Sequence, residues 1–269
     1  MNSLSTKYQI LNATTIKYIA AGLMLLDHIH QMFAANGAPM WLTMLGRPVF
    51  PMFLFLAADS FFYTSDRRRY LLRLLVASWC TTLLTVTVQW VLPNPNVVLM
   101  NNAFSTFFVT AIYMQAWDFL KEGIQTKRMK PIGKAILWGL IPIVCALPML
   151  ALALYSADES VSLQTIRLLA GLALLFPNLL TIEGGVVMAA LGIWFYWFRT
   201  RRAVQIGGLL ALSALLLWRN PSDVQWMMGF AAIAMGLYNG QRGRGDKYFF
   251  YIFYPAHLLV LYGLACYLG

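Results

Sequence analysis

Long apolar runs separated by short polar links make up most of this chain. Ten apolar segments occur, at roughly residues 14–34, 41–63, 70–92, 101–120, 132–154, 163–180, 184–199, 203–219, 223–239 and 248–267. About 20 apolar residues in a helix are enough to cross the hydrocarbon core of a bilayer. The pattern therefore predicts an all-α fold, a polytopic bundle of nine or ten transmembrane helices.

Basic residues in the links predict the orientation, because cytoplasmic loops carry an excess of lysine and arginine. Basic clusters follow the second, fourth, seventh and ninth segments, at 67–69, 121–130, 199–202 and 242–247. Placing the first two in the cytoplasm puts the amino terminus with Lys7 there as well, and the links at 93–96 and 155–160 outside. Ten full spans would put the last two clusters outside. We therefore favour nine spans with segment 163–180 re-entrant, and a plain ten-span arrangement stays open.

Composition agrees with a membrane protein and limits the other classes. The chain is 60% hydrophobic and 11% charged, with a mean hydropathy of +0.64. Its formal net charge of +10 is concentrated in the links, so it indicates topology rather than nucleic-acid binding. No domain boundary is visible, and residues 1–269 are expected to form a single integral membrane domain in the lipid bilayer. The three cysteines lack metal or disulfide spacing, so neither feature is expected.

The first apolar segment contains several ionisable residues, and each charge costs about 2.5–3.5 kcal/mol at the bilayer centre. Lys17 and His28 are eleven residues apart. This is almost three helical turns, so they share one face and stand roughly 16 Å apart. Asp27 is expected to orient an imidazole, whether of His28, of His30 or of another helix, and to raise its basicity. A cation near one membrane face, aligned with an acid–base group at mid-depth, predicts a site reached from that face.

Charged residues of the second segment are expected to find partners on other helices. Arg47 is followed by two prolines, and we expect it to pair with Asp27, with Asp59 or with a substrate anion. Asp59 is expected to pair with Lys17 or with the basic run Arg67, Arg68 and Arg69.

His257 lies at mid-depth in the last segment, two residues after Pro255. Proline removes a backbone N–H and bends a helix, which can direct an imidazole towards a cavity. We therefore predict that the first and last helices are neighbours and that His257 and His28 line the same site. Buried histidine, aspartate and lysine also suit a proton-coupled transporter, which remains the alternative.

Several stretches together resemble one family. They are Lys17–His28 with DHI at 27–29, GRPVFPMFLF at 46–55, Asn102 with Phe104, EGGVVMAALG at 183–192 and FYPAHLLVL at 253–261. The Lys-X10-His spacing looks like the signature of the acyltransferase-three superfamily of membrane acyltransferases. More closely, the chain resembles the TraX family of pilin acetylation proteins. The middle of the chain, from about 110 to 180, matches little.

The resemblance implies a membrane-embedded acetyltransferase of the bacterial inner membrane. It would move an acetyl group from cytoplasmic acetyl-CoA to an amine or hydroxyl of an acceptor protein or glycan, such as a pilin amino terminus. On that interpretation His28 is catalytic and Lys17 faces acetyl-CoA. His257, Arg47 and Asp59 carry over as site residues. We expect the phosphates of acetyl-CoA to contact the cytoplasmic arginines Arg67, Arg68 and Arg69.

Overall fold

The structure, a computed structural model, describes residues 9–156 and 162–268. Its helices are α1 Ala13–Phe33, α2 Trp41–Gly46, α3 Val49–Tyr63, α4 Arg67–Val91, α5 Ala103–Thr126, α6 Met129–Val144, α7 Leu147–Tyr155, α8 Leu163–Ala173, α9 Gly185–Trp197, α10 Arg202–Arg219, α11 Ala231–Leu237 and α12 Lys247–Leu268, with a 3₁₀ helix at Val224–Phe230. The predicted all-α fold is confirmed. The predictions for the amino terminus with Lys7 and for most of the link 155–160 lie outside the described residues.

Local sequence explains where the helices begin. Asn12 precedes α1 and its side-chain oxygen accepts a hydrogen bond from the Thr15 amide at 2.9 Å. Asn102 caps α5 through the Ser105 amide at 3.1 Å, and Ser162 caps α8 through the Thr165 amide at 3.2 Å. Each cap satisfies a backbone donor that a helix start would leave unpaired.

Two predicted segments are interrupted in the structure. Segment 41–63 divides into α2 and α3 at Arg47 and Pro48, and segment 132–154 divides into α6 and α7 near Cys145. Proline at 48, 142 and 148 explains both breaks, since a proline cannot donate the backbone hydrogen bond that continues a helix.

Five helical stretches among the described residues are long and apolar enough to cross a membrane. They are Trp41–Tyr63, Arg67–Val91, Met129–Tyr155, Arg202–Arg219 and Tyr248–Leu268. A multi-pass membrane protein is therefore confirmed, whereas nine or ten spans are not. Helix α8, in the segment predicted to be re-entrant, has 11 residues. At about 1.5 Å per residue it covers roughly half of the hydrocarbon thickness.

The chain divides into two compact units. The first unit contains the residues up to Asp59, Val88–Leu99 and the residues from Trp194 onward, and the second contains Ser60–Thr87 and Met100–Ile193. In the first unit α1 packs against α2 and α12, and α10 packs against the 3₁₀ helix. In the second unit α5 packs against α6, and α7 packs against α8.

Helices α1 and α12 run parallel in the first unit. Tyr18, near the start of α1, contacts Phe249 and Phe250 at ring-centroid distances of 5.3 and 5.1 Å, and further along His28 contacts His257. At the opposite end of α12 the Tyr262 hydroxyl donates to the Leu92 carbonyl at 2.8 Å. If both helices cross the membrane, their parallel direction requires that the chain crosses it an odd number of times from α1 to α12, with both helices counted.

Candidate functional site

Two buried histidines from α1 and α12 form the centre of the first unit's polar interior. His28 is 3% exposed and His257 is 7% exposed. Nδ1 of His28 lies 2.6 Å from Nε2 of His257, and the rings stack at 4.9 Å. The predicted contact between the first and last helices is therefore confirmed. The catalytic role of the two residues stays a prediction.

The backbone of α12 fixes the proton positions in this pair. Nδ1 of His257 lies 2.6 Å from the carbonyl oxygen of Phe253, one turn earlier. A carbonyl only accepts, so this nitrogen carries a hydrogen. In the neutral ring Nε2 of His257 is then an acceptor, and Nδ1 of His28 must donate to it. Nε2 of His28 is consequently the unprotonated, basic nitrogen of the pair.

Aromatic rings surround the two imidazoles. The Phe253 ring stacks on His257 at 4.7 Å. Tyr254 presents its ring edge-on to His257 at 5.9 Å and to His28 at 6.4 Å. Such an apolar lining keeps water away and disfavours the charged imidazolium. Both imidazoles are therefore neutral at rest, and Nε2 of His28 carries no proton when a substrate arrives.

Asp27 does not orient a histidine, contrary to the sequence-based expectation. Its Oδ1 accepts from the Thr43 hydroxyl and from Nη2 of Arg47, both at 2.5 Å. Neighbouring helix residues point about 100° apart, so Asp27 and His28 face different helices. The permanent charge of arginine also attracts a carboxylate more strongly than a neutral imidazole does. The pairing of Arg47 with Asp27, one of the predicted options, is confirmed.

Arg47 connects this ion pair to the 3₁₀ helix. Its Nη1 donates to Oε1 of Gln225 at 3.1 Å, and its Nε donates to the Thr43 carbonyl at 3.1 Å. With its donors committed in this way, Arg47 holds three elements together. Gln225 and Thr43 were not recognised from sequence, where an isolated amide or hydroxyl in an apolar run gives no signal.

Asp59 pairs with neither Lys17 nor the Arg67–Arg69 run, which corrects that prediction. Its Oδ2 accepts from the Tyr238 hydroxyl at 2.9 Å, and the Arg202 guanidinium lies near it. Arg202 stacks over the rings of Phe55 and Tyr238, at 4.4 and 5.0 Å from their centroids. Tyr238 and Arg202 are distant from Asp59 in sequence, so no local pattern could have indicated these partners.

Lys17 and His30 lie on either side of His28 along α1. Lys17 Nζ lies 5.8 Å from the Phe250 ring centroid, close to the start of α12. The predicted alignment of Lys17 with His28 on α1 follows from the unbroken helix. His30 donates from Nδ1 to the Ala38 carbonyl at 3.1 Å, where it fastens the chain after α1.

The predicted phosphate contacts Arg67, Arg68 and Arg69 belong to the second unit. Arg67 pairs with Asp118 at 2.6 Å and donates to Gln115 at 3.2 Å. Arg69 pairs with Asp66 at 3.0 Å. Two of the three arginines thus already have a carboxylate partner. Among the described residues no group of three His, Cys, Asp or Glu side chains could hold a metal ion.

Comparison with known families identifies the chain. The family described as "TraX protein" matches residues 12–265, which include both histidines and the charged residues that surround them. The chain belongs to the TraX family. The match supports no transporter function.

Similarity of this TraX family chain to curated proteins is distant. The chain is 26% identical over 265 residues to a protein of Dichelobacter nodosus named "Probable fimbrial assembly protein FimC, serogroup H1". That alignment covers 93% of this chain and 94% of the relative. No solved structure matches the chain.

Proposed function

We propose that this protein is a membrane-embedded acetyltransferase that uses acetyl-CoA and acts on a pilus or fimbrial subunit. The observation that carries the proposal is the buried His28–His257 pair, whose backbone-fixed tautomers make Nε2 of His28 a base. The TraX match and the name of the fimbrial relative support the choice of acceptor. The Lys17-to-His28 spacing on one helix face supports a donor that reaches the pair from the Lys17 end.

Direct transfer needs only one base. Nε2 of His28 takes the proton of the acceptor amine or hydroxyl while the acceptor attacks the thioester carbonyl. A new C–N or C–O bond forms, the C–S bond breaks, and His28 returns the proton to the CoA thiolate. His257 stabilises the transient imidazolium by accepting from its Nδ1–H.

Covalent transfer uses the same nitrogen as a nucleophile. Nε2 of His28 attacks the thioester carbonyl, CoA leaves as the thiolate, and an acetylimidazole forms. The acceptor then attacks the acetyl carbon, the bond between that carbon and Nε2 breaks, and the proton of the acceptor passes to the CoA thiolate or to water, which regenerates neutral His28. This route lets the acetyl group pass from a donor on one side of the membrane to an acceptor on the other without both being bound together.

Purified protein and radiolabelled acetyl-CoA test the proposal. The acceptors are a synthetic peptide with a free amino terminus, the same peptide with a blocked amino terminus, and a neutral oligosaccharide. We expect label transfer to the free peptide, and none with His28→Ala, which should still insert and purify. His30→Ala is the matched control, since it removes an imidazole from the same helix. Full activity in His28→Ala, or no transfer and no acetyl-CoA binding by the wild type, would contradict the proposal.

Omitting the acceptor separates the two routes. An acetyl-histidine intermediate predicts label on the protein, stable to detergent and removed by hydroxylamine. Direct transfer predicts an unlabelled protein that still transfers label once the acceptor is added.

A further inference from the structure

A glycine- and arginine-rich loop folds over the start of α1. This basic loop, residues 239–246 with the sequence NGQRGRGD, connects α11 to α12. The Asn239 amide donates to the Leu11 carbonyl at 2.8 Å, and the Ala13 amide donates to the Gln241 carbonyl at 2.9 Å. The Thr14 hydroxyl donates to the Arg242 carbonyl at 2.9 Å. The loop backbone is therefore fixed to the end of α1 that carries Lys17.

Gly243 is required at the closest point of this contact. Its φ of +72° lies in the left-handed region, and an added Cβ would collide with the Asn12 side chain. Asn12 is the residue that caps α1. The loop conformation and the helix start are thus built together, which fixes the backbone that carries Arg242 and Arg244.

Three cations gather here without an acidic partner. Arg242 and Arg244 are exposed, and the carbonyls of both accept from the Thr14 hydroxyl, about one turn before Lys17 on α1. Within the described ranges 9–156 and 162–268, none of the three side chains has a carboxylate within ion-pair distance. Asp246, the acidic residue of the loop, binds the Tyr18 hydroxyl at 3.0 Å instead.

The arginines at the start of α4, in the second unit, differ from those of the basic loop in their ion pairing. There Arg67 and Arg69 are each paired with a carboxylate, so their charge is partly neutralised. In the part of the chain that the structure describes, the exposed arginines of the basic loop have no carboxylate within ion-pair distance, so their guanidinium groups are available to an external polyanion.

We propose that the basic loop binds the phosphates of the acetyl donor through Arg242 and Arg244, with Lys17 as the next contact towards His28. The inference rests on the proposed acetyltransferase function and names the donor-binding end of that site. Lys17 lies roughly 16 Å from His28 along α1, a distance that suits the extended arm between the phosphates and the thioester of CoA. Arginine suits this role because its guanidinium binds phosphate oxygens in pairs.

Titration of CoA onto the purified full-length protein tests the inference. Arg242→Gln combined with Arg244→Gln should raise the Kd for CoA at least ten-fold and leave kcat at saturating acetyl-CoA within two-fold. Arg68→Gln combined with Arg69→Gln is the matched control, and it also tests the competing phosphate contacts predicted from the sequence. It removes two charges from exposed arginines of the second unit, and it should change the Kd less than two-fold.

Two further measurements separate binding from folding. Arg242→Lys with Arg244→Lys keeps the charges and should retain most of the CoA affinity. The wild-type Kd should rise with salt, and the glutamine variant should show a weaker salt dependence, because fewer charge contacts remain to be screened.

The outcomes distinguish this inference from the proposed function. Wild-type affinity in the loop glutamine variant, with loss of affinity in the control, would overturn the loop assignment and leave acetyl transfer standing. A wild-type protein that binds no CoA would overturn both.

Discussion

His257 has one ring nitrogen committed to its own helix and the other committed to His28. This arrangement makes it a positioning residue, since it acts by holding the ring and the tautomer of His28. Small displacements of a reacting group can cost about 10²-fold in rate. The contribution of His257 should therefore appear in turnover rather than in donor binding.

We expect His257→Ala to lower kcat about 100-fold while changing the Kd for acetyl-CoA less than two-fold. His257→Gln should recover part of the rate, because an amide oxygen at the end of the longer side chain can accept from Nδ1 of His28. Steady-state kinetics and CoA titration on the same preparations provide the measurement. Equal losses of affinity and turnover would assign His257 to packing alone.

The Asp27–Arg47 ion pair is expected to contribute to stability. Its side chains are 24% and 27% exposed, so water screens the pair only partly. Asp27→Ala, Arg47→Ala and the double variant form a double-mutant cycle, measured by thermal unfolding in detergent. We expect a coupling free energy of about 0.5–3 kcal/mol, because each single variant leaves a polar partner behind. Additive effects would mean that the pair contributes nothing.

The sequence predicted the histidine pair, whereas it indicated Arg47 as only one of several possible partners of Asp27, and the difference is physical. Depth along two helices depends only on residue number and helical rise, so His28 and His257 could be matched by their positions in the sequence. The side of a helix that meets a particular neighbour depends on tertiary packing. Asp27 therefore contacts Thr43 and Arg47 rather than an imidazole, and Asp59 contacts Tyr238.

At the scale of elements, α1 and α2 approach closely at Gly46. A Cβ added there would collide with the Asp27 side chain, so the position accepts only glycine without movement. The site depends on this approach, because it brings Arg47 within reach of α1. The prolines at 48 and 51 disfavour a regular helix near Arg47, but they give no indication of this contact.

Gly46→Ala should lower the free energy of unfolding by about 1–3 kcal/mol, the usual cost of overpacking. Gly22→Ala is its control: it also places a methyl group on a helix of this bundle, and nothing lies within 4 Å of its added Cβ. Chemical or thermal unfolding of the two variants in the same detergent gives the comparison. Equal stability of the two variants would show that α2 can move away from α1 at no cost.

At the scale of the whole chain, the parallel direction of α1 and α12 sets a topological constraint. The basic loop and the residues around Asn94 lie at opposite ends of the first unit, as the contacts of Leu11 and Tyr262 establish. Arg202 lies at the Leu11 end through its contact with Tyr238. The basic clusters at 199–202 and 242–247 thus lie at the same end of the first unit as the start of α1. We therefore expect both clusters on one side of the membrane.

Single cysteines in a variant lacking Cys80, Cys145 and Cys266 test this topology. A cysteine at Gln241 should react with an impermeant reagent only after the cells are opened, and a cysteine at Asn94 should react in intact cells. Cysteine at Ser65 is expected to behave like Gln241, from the distribution of basic residues in the links. Labelling of Gln241 and Asn94 from the same side would show that the chain crosses the membrane an even number of times between them, and it would refute this topology.

The separation of the two histidines in sequence has a consequence for biosynthesis. His257 follows His28 by 229 residues, and a ribosome adds about 5–20 residues each second. His28 therefore enters the bilayer roughly 10 to 45 s before its hydrogen-bond partner exists. During that interval the nascent chain holds a polar α1 that the insertion machinery or a chaperone must shield. If the proposed acetyl transfer requires the histidine pair, a protein whose synthesis stops before α12 should be inserted in the membrane but inactive.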